Sequence, residues 1–595
     1  MGRLVYAVAA SAALCAQGTS VPALAAQPRA VVEGTLDPSL KAAIAHAIGE
    51  TDRPIENRFE ARRRAREAAE DAVAVLRSEG YYAYDVQPDV GSEDAPAALV
   101  RVSPGPRFTL AGAGIAWVGE APDPKARDAA TTALHLPDGA PGRAAEVVGA
   151  EGRAVSAVQR LGYADAETQP REVVVDHADH TVRPTFKIAA GELVRLDSLD
   201  VTTDGRTSKA WLQHLAPWKH GDAYDPEDVA ELERRLLDTG VYDSVTVALA
   251  PKAKKTADGL RPVVVSLAER KRRTIELGAS YATSEGLGLD ARWTHYNVFG
   301  RADTLALIGR ASDIDSRVEV DLTLPHWLRP QQTLKSAAAV YRTRTDAYNE
   351  TGVGVRSDVT RRYGKTSYVT LGGSVDLSRT EELTVKTLAP LGRDLVTTAG
   401  LADVSWDRSD DPLNPRRGWR FSARAEPTII VGQGGDLPFL KLQTQASAYL
   451  PLDARARTVL AARLHFGSIL NGTVDQIPAS RRFFAGGGGS VRGFAYQAVG
   501  PRLADDTPQG GISLFEGSLE ARQDLTAKWG VVAFVDAGSI GSDPAPGFQD
   551  LSIGAGLGVR YNLGFAPIRF DVAVPVTDKK NAGPFQFYIS IGQSF

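Results

Sequence analysis

Beyond Lys271 the helical period of the chain disappears and a period of two replaces it. Sixteen segments with at least partial alternation begin at Arg273, Leu287, Asp303, Arg317, Gln332, Thr351, Thr366, Asp394, Gly418, Phe439, Thr458, Gly511, Trp529, Leu551, Ala566 and Phe585. In IRFDVAVPV, the residues Ile568, Phe570, Val572, Val574 and Val576 share one face. In FQFYISIGQSF, the alternation places Phe585, Phe587, Ile589, Ile591 and Phe595 together. The opposite faces are polar or small, as period-two geometry separates them. Most segments are roughly 9 to 15 residues long, near the ~9–11 that cross a bilayer when tilted. No run of 18 or more apolar residues occurs in the body of the chain, so no spanning helix is expected there. One apolar and one polar face per strand predicts a 16-stranded transmembrane β-barrel. The alternative is a large β-sandwich, whose apolar faces would meet in a core. The even strand count and a terminal Phe595 favour the barrel.

The N-terminus carries an address. Met1 to Arg3 give a basic start and Leu4 to Cys15 an apolar stretch, followed by VPALAAQ with Ala23 and Ala25. This pattern predicts a secretory signal over residues 1–25. Cys15 is the single cysteine and follows Leu14 rather than a small residue, so neither a lipid anchor, a disulfide framework nor a thiol nucleophile is expected. A net charge of −4 argues against a nucleic-acid partner.

Between the signal and the barrel, three segments repeat. They are VAVLRSEGYYAYDVQPDV from Val73, VSAVQRLGYADAETQPREVVVD from Val155 and LERRLLDTGVYDSVTVAL from Leu232. Each is an amphipathic helix, a glycine, an aromatic within two residues and an alternating strand. The glycines Gly80, Gly162 and Gly240 suit a left-handed helix end and recur about 80 residues apart, which implies three similar modules. Each module reads strand, short helix, long helix, strand, strand. The charged run ARRRAREAAEDA from Ala61 reads as a solvated helix face. DHADH, with His177 and His180, reads as a polar hairpin tip; no metal and no cofactor are assigned.

Connections after even strands fall on the module side and should be short, as at Thr526 to Lys528. RSDDPLNPRRG, after the eighth strand, is a turn-rich exception. The longest connection on the other side, Asn471 to Gly510, contains RRFFAGGGGSVRGFAYQAVGPR. It lacks the Gly-Lys-Ser/Thr ending of a phosphate loop. An arginine entering a barrel needs carboxylates, and the next two strands offer them. Glu516, Ser518, Glu520 and Arg522 share one face, and Asp536 shares a face with Phe534 and Gly538. Arg492 can fork between Glu520 and Asp536. Alternatively, all three are ordinary polar groups of a wet lumen. Spacing alone leaves both readings open.

The module order and its GY-type helix end resemble the POTRA (polypeptide-transport-associated) domain. VRGF (Val491 to Phe494, with Arg492, Gly493 and Phe494), FVDAG (Phe534 to Gly538) and SLEAR around Glu520 resemble the loop-six, strand-thirteen and strand-twelve motifs of the BamA/TamA superfamily of outer-membrane assembly factors. The resemblance covers the mature chain and implies that the loop arginine docks against these acids. It implies α+β POTRA modules, three in tandem, at 26–105, 106–191 and 192–270, then an all-β 16-stranded transmembrane barrel over 271–595. Three modules are similar to the TamA group.

That resemblance implies a non-enzymatic assembly and translocation factor that helps autotransporters and other β-barrel proteins insert. Its implied partners are a TamB-like periplasm-spanning protein, unfolded outer-membrane clients and outer-membrane lipid. The expected location is the outer membrane of a Gram-negative bacterium, with the modules in the periplasm. The first and last strands would form a lateral seam involving Ile275, Leu277, Ile589, Ile591, Gly592 and Phe595, where a weak pairing offers an edge for strand addition. Ser590, Gly592 and Ser594 leave the end of the last strand's inner face nearly bare, which suits bending at that seam. The alternatives are a secretion pore of the two-partner type and a BamA-like general insertase. An enzyme is not expected: no G-x-S-x-G occurs.

Overall fold

The computed structural model describes residues 27–92, 96–203, 205–282, 286–364, 366–432, 435–548, 550–564, 566–577 and 583–595. The expected signal segment lies outside the described residues. The chain divides into two compact units, and the second contains most of the third module together with the barrel.

The three modules share one topology. In each, the last strand is central. Ala98–Ser103 lies between Val31–Glu33 and Asp85–Val90. Thr181–Ala189 has parallel partners Thr109–Leu110 and Gly114–Trp117 and antiparallel Glu167–Asp176. Arg261–Glu269 lies between Leu196–Thr203 and Tyr242–Leu249. Two helices intervene between the opening and closing strands of each module.

The helix ends explain the repeat. After Arg58–Ser78, Gly80 (φ 90°) donates to the Arg77 carbonyl, and Tyr81 donates to that of Leu76. After Ala144–Gln159, Gly162 (φ 100°) donates to Gln159 and Tyr163 to Val158. These paired bonds satisfy carbonyls that a helix end would otherwise orphan. The aromatic then closes onto its own module: the Tyr163 hydroxyl accepts the Asp123 N–H at 2.8 Å and meets the Asp123 carboxylate at 3.1 Å, where Asp123 caps the helix Pro124–Leu134.

Two readings change. Arg64, in the charged run of the first module, is buried and donates to the carbonyls of Arg53 and Pro54. His177 and His180 do sit in the turn between Glu167–Asp176 and Thr181–Ala189, but their rings pack edge-on against buried Phe108 at 5.3 and 5.1 Å.

The remaining chain forms a 16-stranded antiparallel sheet in chain order, from Arg273–Ala282 to Gln586–Ile591. Exposed and buried residues alternate along the strands, and much of the exposed face is aliphatic. On the fifth strand (Gln332–Arg344), Val340 is exposed while Ala337 and Tyr341 are buried. No rung joins the last strand to the first among the described residues, although the two run close together.

Within the second unit, a polar joint ties the third module to the turn between the second (Gly286–Tyr296) and third (Thr304–Ser312) strands. Glu269 accepts from the Thr207 N–H (2.8 Å), the Thr207 hydroxyl (2.6 Å) and the Asn297 amide (2.8 Å). Ser208 N–H donates to the Gly300 carbonyl at 2.8 Å. Asp303 accepts the N–H groups of Val298, Phe299 and Arg301, which fixes the turn. Burying such groups is tolerable because each finds a partner.

Candidate functional site: the lumen loop and the seam

The connection after the eleventh strand (Thr458–Leu470) folds into the barrel rather than away from it. Phe483, Val491, Phe494, Ala498 and Val499 are buried against wall residues including Phe439, Ile469, Leu514 and Ile540. The aromatics beside the glycines thus give the loop an apolar core of its own.

Arg492 sits at the tip, 2 % exposed. Its Nε and Nη2 donate to Asp536 at 2.7 and 2.9 Å, and its backbone N–H donates to the same carboxylate at 3.0 Å. Nη2 lies 2.8 Å from Glu520 and Nη1 3.0 Å from Asp571. The guanidinium carbon lies 3.5 Å from the centre of the Phe534 ring. A planar, five-donor cation suits this crowded geometry as an ammonium would not. The carboxylates are shared further: Arg522 meets Glu520 at 2.8 Å, and Arg560 meets Asp571 at 2.6 Å. Every charge here is buried and every charge is paired, as charges removed from water require.

The motif glycines follow from the close fit. Gly493 has φ 99°, and a Cβ there would lie 2.9 Å from the Val574 carbonyl oxygen. A Cβ on Gly538 would lie 2.6 Å from Val491 Cγ2. The loop backbone can therefore lie directly on the wall.

Asp571 was not among the candidates from sequence. Its neighbours Phe570 and Val572 were placed outward, which puts Asp571 inward, but nothing in the alternation says at what height it meets the loop. The far end of the loop was also missed. Arg481 and Arg482 reach Glu350 and Glu382 at 3.5 Å each, on the sixth (Tyr348–Tyr363) and seventh (Ser367–Leu383) strands.

The loop also touches the last strand. The Tyr588 hydroxyl donates to the Phe494 carbonyl at 3.1 Å and accepts the Gly493 N–H at 3.2 Å. At the seam, Ile275, Leu277, Ile589 and Ile591 face outward, exposed by 73, 80, 49 and 66 %. Phe595 does not join them. Gly592 adopts φ 91° and breaks the alternation, and the chain turns into the lumen. Phe595 stacks on Tyr449 at 6.5 Å, beneath Arg522 at 5.3 Å and Arg463 at 5.7 Å. Ser594 donates to Glu520 at 2.6 Å. Gln593 bonds the Leu413 carbonyl and the Asn414 side chain, within the turn-rich segment after the eighth strand. Leu413 and Asn414 of that segment thus hold Gln593.

The Omp85 superfamily domain matches residues 297–595. The outer membrane protein assembly factor BamA of Neorickettsia risticii is 23 % identical over 430 residues, covering 68 % of this chain and 55 % of that protein. BamA of Neisseria meningitidis serogroup B is 23 % identical over 501 residues, covering 73 % and 60 %. The chain therefore spans little more than half the length of the curated relatives it matches. The structure of Haemophilus ducreyi BamA lacking POTRA domains 1–3 superposes with a TM-score of 0.67 at 18 % identity, covering 82 % of this chain and all of that one, which speaks to the fold. With half its length matched by that domain, and with α+β modules leading into sixteen strands, the chain belongs to the Omp85 superfamily and is an outer-membrane protein with its modules in the periplasm.

Proposed function

We propose that this chain is an assembly and translocation factor of the TamA type, acting without a chemical reaction on unfolded β-barrel clients such as autotransporters. Three modules at 26–105, 106–191 and 192–270 would receive clients and a TamB-like partner spanning the periplasm. The observation that carries the reading is the seam. The first and last strands lie together without a ladder among the described residues, and the last strand and the residues after it are held from the lumen side through Tyr588, Ser594 and the loop. A strand cannot enter hydrocarbon with unpaired backbone groups. An edge that is already unpaired can supply the missing partner. Arg492, Glu520, Asp536 and Asp571 would set how far that edge opens.

The test is a reversible cross-link. Cys15 is the single cysteine and lies in the expected signal. An engineered pair joining Ile275 or Leu277 to Ile589 or Ile591 should form where Cα atoms come within ~7 Å. Oxidation should stop client assembly in proteoliposomes, and reduction should restore it. Client assembly at the reduced rate through a demonstrably oxidised seam would overturn the proposal.

A further inference from the structure

The barrel's outer wall carries a basic row where a membrane protein needs a reason for one. On the fifth strand the outward residues run Leu334, Ser336, Ala338, Val340, then Arg342 and Arg344. Register carries each level around the wall. Val340 pairs with Val318 and Val353, and Val353 with Leu377, so one level is an exposed aliphatic row. One pleat further along, Arg342 pairs with Ser316 and Thr351, and Thr351 with Arg379. Charge therefore begins about 7 Å beyond the last aliphatic row.

This row lies at the end of the fifth strand away from the third module. The fifth strand starts from the turn at His326 to Gln331, which bonds the third module's helix Pro226–Leu237, and it ends at Arg344. The levels from Leu334 to Val340, aliphatic except at Ser336, span about 20 Å along the strand, close to the ~25 Å apolar band of such barrels. The arginine row thus falls at the headgroup level of the outer leaflet.

Arg379 is answered by Asp394 at 3.2 Å and Glu381 at 3.4 Å. Arg342 and Arg344 have no ion-pair partner among the described residues, and both are exposed. Asp313 and Asp346 occupy the adjoining loop tips, beyond the row. Beside it, the wall has an open depression of about 560 Å³, floored by Leu377, Val396 and Val431 and edged by Thr351, Arg379 and Asp394. An aliphatic floor, with Arg379 at its upper edge and Arg342 one strand further along the same level beside Thr351, suits a molecule with acyl chains at one end and phosphate at the other.

We propose that Arg342 and Arg344 bind the phosphate of an anionic outer-leaflet lipid, whose acyl chain lies over the aliphatic row and along this depression. Each guanidinium can fork two phosphate oxygens, which fixes orientation as well as charge. Bound there, the lipid would hold the wall opposite the seam at a fixed depth.

The test uses the full chain in detergent, titrated with bisphosphorylated lipid A and read by native mass spectrometry. Lipid A should bind, and the double variant Arg342→Ala/Arg344→Ala should weaken binding by at least ~10-fold, as loss of two charge-assisted contacts implies. Heat-modifiable gel mobility confirms that the variant still forms the barrel. Arg361→Ala, which removes an exposed arginine from the opposite end of the sixth strand, should bind as wild type does. Equal binding by the double variant overturns the proposal. So does equal weakening by Arg361→Ala, equal binding of lipid A stripped of phosphate, or competition by inorganic phosphate at the lipid's own affinity.

Discussion

The wall around the sixth to eighth strands and the wall at the seam come from the same period-two pattern, yet they are held by different forces. The sixth, seventh and eighth strands have 16, 17 and 18 residues, and the ladder between the first two of these runs unbroken from Tyr348↔Glu382 to Tyr363↔Ser367. The last strand has 6 residues, is paired on one side, and ends at a left-handed glycine. The sixth and seventh strands are hydrogen-bonded along both edges, so their pairing does not depend on the lumen loop. At the seam the ladder gives out, and a buried cluster of arginines and carboxylates takes over. Charge therefore has different work on the two sides. Near the seam it holds the strand; on the far wall it holds the loop to strands already paired on both sides.

The largest effect expected from this difference is that of Arg492→Ala. It leaves Glu520, Asp536 and Asp571 buried around a void. Removing one side of a buried pair typically costs ~3–5 kcal/mol, and less where water reaches the site. The barrel should still form, with a lowered heat-dissociation temperature and impaired client assembly. Amide exchange should speed up over Gln586–Ile591 and stay unchanged over the sixth to eighth strands. A uniform change over both walls would show that the seam is not specially dependent on the loop.

Asp571→Asn comes next. It keeps the volume but removes the charge shared by Arg492 and Arg560. A cost of ~1–3 kcal/mol is expected, since buried donors then lose part of their partner. Loss of protection should again be confined to the last strand. Smaller still is Glu382→Gln on the far wall, at about 1 kcal/mol. Glu382 holds the Ala479 N–H, Arg393 and Arg482, so the far end of the loop should loosen while the seventh strand keeps wild-type protection. A seventh strand that exchanges faster in this variant would break the comparison.

The same contrast explains what the sequence disclosed. All sixteen strands start within a few residues of where the alternation begins, because a membrane on one side and a wet lumen on the other leave each residue two choices. Glu520 and Asp536 were legible for the same reason, since face and strand follow from parity. Height was not. Asp571 and the Arg481 and Arg482 partners depend on how a loop of some forty residues packs, and no local period encodes that. Phe595 was misplaced because the alternation was continued past Gly592. A glycine can leave the β region where other residues rarely do, so parity carries no information beyond it. The joint at Glu269, Thr207 and Asn297 joins residues far apart in sequence and shows no repeat at all.

The smallest effect belongs to the far wall's module end and depends on pH. His326 lies in the turn between the fourth (Asp315–Leu324) and fifth strands, buried beside Trp211. Its Nε2–H donates to the Arg235 carbonyl at 2.9 Å, and its Nδ1 accepts the Gln331 N–H at 3.0 Å. The neutral ring uses both nitrogens, so protonation at Nδ1 destroys an acceptor. Burial pushes its pKa below the usual histidine value, helped by the nearby Arg235 and opposed by the hydrogen bond to the Arg235 carbonyl and the charges of Asp238 and Glu231. A folded-state pKa below the unfolded value of ~6.5 means that the contribution is intact above that pH. It is lost as pH falls through the lowered folded pKa. Between pH 7.5 and 5, the joint should weaken by up to about 1 kcal/mol. Amide exchange, corrected for its intrinsic pH dependence, should quicken over Trp327 to Gln331 and over Pro226–Leu237 on acidification, with the seam unaffected. His326→Phe should be weaker at pH 7.5 but flat across the same range. If wild-type protection at this turn does not change with pH, or if the seam responds instead, the far wall has no titrating contact at its module end, and the division between a backbone-held wall and a charge-held seam is sharper than drawn.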